Sequence, residues 1–111
     1  MAPELTCVRE ASAPIAALRL AGTLNVSSAA TVRSALHKAL ADGPSAILVD
    51  LGTTRVADPV ALTVFAAFAH TAAGWPGCPI MVCASSGLVR AELHRMAIDR
   101  AVPVYADRAA A

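Results

Sequence analysis

Four consecutive apolar residues, Ala46-Ile47-Leu48-Val49, stand between two stretches of helical periodicity and close on Asp50. A strand with one wet face alternates apolar and polar residues, so an unbroken run marks a strand covered on both faces, as in a mainly parallel sheet. Parallel neighbours need crossover connections of a dozen or more residues, and the flanking helices supply them. This run therefore places the chain in the α/β class, with helices packed against a sheet.

The rest of the chain fits around it. Upstream, Val32, Ala35, Leu36, Ala39 and Leu40 recur at helical spacing while Arg33, His37 and Lys38 face away. Ser27 or Ser28 is expected to cap that helix, and Asp42-Gly43-Pro44 to stop it. Downstream, residues 52–56 read as a loop. Asp58-Pro59 opens a second helix running to about Ala73, because the carboxylate can accept the orphan amides of a first turn and proline at the first position loses no needed donor.

Residues 79–83 read as another buried strand, Ser85 or Ser86 as a cap, and residues 88–97 as a third helix with Arg90, Glu92 and Arg95 outward. Residues 102–105 form a last strand that Pro103 confines to an edge. At the other end, residues 5–9 and 15–20 flank Ser12-Ala13-Pro14, which suits a hairpin whose second strand ends at Gly22. The expected fold is one domain over residues 1–111, with its core at about 5–105. It has a mostly parallel four- to five-stranded sheet, an N-terminal hairpin and three to four helices.

Composition narrows what such a domain does. With 57% apolar residues and a formal net charge of +1, nothing suggests disorder or a dominant attraction to nucleic acid or lipid. The three cysteines, Cys7, Cys78 and Cys83, form no CxxC, and their odd number points to free thiols in a reducing, cytoplasmic setting. The N-terminus lacks a basic region followed by an apolar core, so the first residues read as mature protein. Residues 56–73 are interrupted by Asp58, Pro59 and His70 and fall short of a membrane span.

No nucleotide-binding or hydrolase motif occurs, which leaves an enzyme reading without a named nucleophile or base. His37, His70 and His94 fall on three predicted helices without ligand spacing, and no metal or cofactor is implied. Cys78 and Cys83 read as small packed residues, and Arg90, Arg95 and Arg100 as a solvated basic side. The second helix is the oddity. Its core stripe is Leu62, Phe65, Ala66 and Ala69, yet Val60, Val64, Ala67 and Phe68 on its other side are apolar too. Either both sides pack inside the domain, or an exposed patch awaits a partner or second copy.

The order of elements and several local signatures resemble a stand-alone STAS domain of the anti-sigma factor antagonist (anti-anti-sigma factor) type, over residues 15–105. Gly22-Thr23-Leu24-Asn25 stands where that family carries Gly-Glu-(Leu or Ile)-Asp, and Asp50-Leu51-Gly52 where it carries Asp-Leu-Ser. Asp58-Pro59-Val60-Ala61-Leu62 stands for Asp-Ser-(Ser or Thr)-Gly-Leu, followed by Ser85-Ser86 and the exit Ala97-Ile98-Asp99. The resemblance implies a binding module, not an enzyme, whose partner is an anti-sigma factor of the serine-kinase type, so that a sigma factor is freed. It implies contact through Asn25, Ser27, Ser28, Thr53, Thr54, Asp58, Pro59, Val60 and Leu62.

Two departures matter. Pro59 occupies the family's phosphoacceptor position and has no hydroxyl, so it cannot be phosphorylated, and Asn25 removes a negative charge. The alternatives are a non-switching scaffold or oligomerising subunit, a homodimer included, and, further off, a small enzyme or small-molecule carrier; direct nucleic-acid or membrane binding is not expected.

Overall fold

The computed structural model describes residues 5–12, 15–72 and 78–107. Strand β1 (Thr6–Ser12) runs antiparallel to β2 (Ile15–Leu24), with Thr6 opposite Ala21 and Ser12 opposite Ile15. Ala13 and Pro14 of the expected turn lie outside the described residues. Helix α1 (Val26–Ala41) returns the chain to β3 (Ala46–Val56), and a 3₁₀ turn (Pro59–Leu62) leads into α2 (Thr63–Ala72). Then follow β4 (Ile80–Cys83), α3 (Gly87–Arg95), a second 3₁₀ turn (Ile98–Arg100) and the two-residue β5 (Val104–Tyr105).

The five strands lie in chain order, and every pair after the hairpin is parallel. Each crossover therefore advances in the same direction, and right-handed crossovers that all advance one way leave their helices on one face of the sheet. On that face Leu18 and Leu20 of β2, Ile47, Val49 and Leu51 of β3, and Ile80 and Val82 of β4 join Val32, Leu36, Leu62, Phe65 and Leu93 in one core. Ala17, Leu48 and Cys83 point the other way and are buried as well, outside that cluster. The unbroken apolar run of β3 is thus buried on both faces.

Residues 52–56 are not a loop. β3 continues through them, pairing Thr53, Thr54, Arg55 and Val56 with Ala21, Gly22, Thr23 and Leu24. β2, expected to stop at Gly22, runs on to Leu24 for the same reason. The polar composition that reads as a loop belongs to a bulge: between the pairs Arg19–Asp50 and Ala21–Thr53, Leu51 and Gly52 oppose the single residue Leu20. The Gly52 amide turns to donate to Asp50 Oδ1 at 2.8 Å, while Thr53 and Thr54 both donate their hydroxyls to the Leu20 carbonyl, at 3.1 and 2.7 Å. A Cβ at position 52 would stand 3.0 Å from Asp50 Oδ1. The hydroxyls supply locally what a regular ladder would have supplied.

Candidate functional site

Because β2, β3 and β4 are parallel, the helices that follow them begin at a common edge, where their C-terminal ends meet. The start of α1, the segment between β3 and α2, and the start of α3 gather there. Ala57 donates its amide to the Leu24 carbonyl at 2.9 Å, which ties the exit of β3 to the end of β2.

Asn25, rather than Ser27 or Ser28, caps α1. Its Oδ1 accepts from the Ser28 amide at 2.9 Å, and its own amide donates to Ser28 Oγ at 2.9 Å, so two orphan donors are satisfied reciprocally. Asparagine caps as well as serine does, and a serine three residues on takes the part that glutamate plays elsewhere. Asp58 caps the next turn: Oδ1 accepts from the Val60 amide at 3.0 Å, and Pro59 follows at the first helical position. The hydroxyl of Thr63 donates to the Val60 carbonyl at 2.7 Å and carries the 3₁₀ turn into α2. The expected single helix is therefore two pieces joined at Thr63, and Ala73 lies outside the described residues. At α3, Ser86 caps by accepting from the Val89 amide. Arg90 folds back onto the carbonyls of Ala84 and Ser85.

The sequence-derived contact residues divide by depth. Ser27, Thr53 and Val60 are exposed at the edge, and Asn25, Ser28, Asp58 and Pro59 are half-buried within it. Leu62 is fully buried and Thr54 is buried with its hydroxyl engaged, so neither can touch a partner; both support the edge from beneath. The apolar sides of the second helix are also resolved. Val64 is 5% exposed and Phe68 2%, because α1 lies over them and His37 sets its ring edge-on to Phe68 at 5.3 Å. Only Val60, at 56%, and Ala67 remain open.

Two exposed apolar residues at this edge escape the sequence reading. Val26, the first residue of α1, and Leu88, in the first turn of α3, face solvent at this same edge. Each directly follows or nearly follows a cap, ahead of the helical period; that position was the available signal. Val26 and Val60 stand on opposite walls of a groove of about 320 Å³ between α1 and α2, with Ala29, Arg33, Thr63 and Ala67 along its length. Arg33 makes no ion pair among the described residues.

The other chemistry-bearing residues are dispersed. Among the described residues, no three of His, Cys, Asp and Glu are grouped to hold a metal ion. His94 pairs with Asp99 at 2.7 Å. Cys7, Cys78 and Cys83 form no disulfide with one another, and burial pushes the Cys7 and Cys78 thiols above their ordinary pKa. No helix among the described residues is long and apolar enough to cross a membrane.

The family model of the STAS domain matches residues 7–111. The chain belongs to the STAS domain family. Solved structures agree on the fold of this STAS domain. An anti-sigma factor antagonist from Mycobacterium paratuberculosis superposes with a TM-score of 0.83 at 20% identity, over 99% of this chain and 94% of that one. The anti-sigma factor antagonist SpoIIAA in its unphosphorylated form superposes with a TM-score of 0.73 at 13% identity, over 95% and 92%. No curated protein matches this STAS domain by sequence.

Proposed function

We propose that this STAS domain is a regulatory binding module that docks an anti-sigma factor of the serine-kinase type and thereby frees a sigma factor, with no phosphoryl switch at position 59. The observation that carries this reading is the exposure of Val26 and Val60 on facing walls of one groove, at the edge where three capped helix starts converge. Apolar side chains held open on rigid elements favour association, at about 25 cal/mol per Å² removed from water. Asn25, Ser28 and Asp58 spend their polar atoms on capping and so hold the edge's shape. Ser27 and Thr53 are exposed around it, Thr53 with its hydroxyl already donated to the Leu20 carbonyl.

Pro59 supports an antagonist that is always competent. The kinase's usual acceptor hydroxyl is absent, and the fixed ring also removes an amide that would otherwise face a bound phosphate. Regulation would then reside in abundance or in another residue. The test is calorimetric titration of the STAS domain into each kinase-type anti-sigma factor of the same genome, with and without its sigma factor. Binding that displaces sigma and is lost in Val60→Glu supports the reading. Absence of binding to every such protein refutes it, and self-association lost in the same variant would assign the edge to a homodimer.

A further inference from the structure

A second groove flanks α1 on its other side, against the hairpin. It has a volume of about 470 Å³, within the range of small-molecule sites. Leu18 and Cys7 line it from the sheet, and Thr31, Ser34, Ala35 and Lys38 from α1, with Arg9 of β1 completing the lining. Residues 31, 34, 35 and 38 share one side of a helix, and from Thr31 to Lys38 that side extends about 10 Å at 1.5 Å per residue.

We propose that this groove binds a small organic acid, its apolar body against the half-buried Cys7 and Ala35 and its anionic head at Lys38 and Arg9. Arg9 is already paired with Asp42 at the C-terminal cap of α1, but Lys38 has no ionic partner among the described residues. That end of the groove therefore carries two positive charges against one negative. No carboxylate is among the lining residues. Burial raises the Cys7 pKa, so the thiol stays neutral near pH 7 and does not repel an anion. The hydroxyls of Thr31 and Ser34 make no hydrogen bond within the described chain and are available to a ligand along the groove. Cys7 and Ala35, both half-buried, give the groove its accessible apolar surface, with the buried Leu18 beneath them. The site is separate from the edge assigned to the protein partner, and the inference does not rest on that assignment.

The experiment is a nitrogen-15 amide titration of the whole chain with sodium octanoate, octyl phosphate and 1-octanol. At least one of the two acids should produce saturating shifts confined to Cys7, Arg9, Leu18 and residues 31–38, and the tighter acid identifies the head group. Lys38→Gln, an exposed change that leaves the fold intact, should weaken that acid about tenfold, the loss expected for one charge-assisted contact. Shifts that scatter or fail to saturate overturn the proposal. So does 1-octanol binding as tightly as both acids, or unchanged affinity in Lys38→Gln.

Discussion

The same substitution made four residues apart tests the depth assigned to the second helix. Val60 and Val64 are both valines on its outer side, yet Val60 is 56% exposed and Val64 5%. Val64→Glu removes a buried valine, worth about 1.5 to 3 kcal/mol, and places a carboxylate without a partner between α1 and α2, which costs several kcal/mol more. The sum is at least about 4 kcal/mol, against a total stability of roughly 5–15 kcal/mol for a domain of this kind. Val60→Glu loses less than half of a valine's burial and leaves its carboxylate in water, a cost under about 1 kcal/mol. Urea unfolding followed by circular dichroism at pH 7 should separate the two variants by about 3 kcal/mol or more, and thermal scans by roughly 12 °C or more. Val60→Glu should remain folded and lose partner binding. If the two variants unfold within about 1 kcal/mol of each other, the burial of Val64 by α1 is wrong, and with it the restriction of this segment's open apolar side to Val60 and Ala67.

Asn25→Ala should lower stability by about 1 kcal/mol, whereas Asn25→Asp should not, since aspartate caps equally well; chemical denaturation distinguishes them. Mass spectrometry after incubation with a cognate kinase-type anti-sigma factor and ATP should find residues 58–62 unmodified in the native chain and phosphoserine in Pro59→Ser. Phosphate on Thr53 in the native chain would instead reveal a relocated switch. The Cys7 pKa is raised by burial in the folded state. Stability from its protonated form is therefore fully present below the unfolded thiol pKa and declines as pH rises through the folded one. Denaturation midpoints should fall across that alkaline range in the native chain and less in Cys7→Ala.

The continuous run at residues 46–49, the stop at Asp42-Gly43-Pro44 and the edge imposed by Pro103 were legible because each is a property of adjacent residues. The end of β3 was not. Gly52-Thr53-Thr54-Arg55 has the composition of a loop, and only its pairing with Ala21 to Leu24 across a bulge makes it a strand. The cap of α1 was misplaced by two or three residues, because Asn25, Ser27 and Ser28 are all competent caps and hydrogen-bond geometry selects among them.

The candidate site divides along the same line. Sequence alone established that position 59 has no hydroxyl and that Asp58-Pro59 begins a helical turn, since side-chain chemistry and a fixed φ do not depend on the fold. Sequence could not rank Val60, Val64 and Phe68, which repeat on one helix side with equal hydrophobicity. Their exposures were decided by where α1 crosses that side, a contact between residues about thirty positions apart in the chain. Tertiary packing likewise sank Leu62 into the core and left Val26 and Leu88 in solvent. Hydrophobicity determines only that apolar surface is better covered; which part of it goes uncovered depends on the shape of everything packed around it.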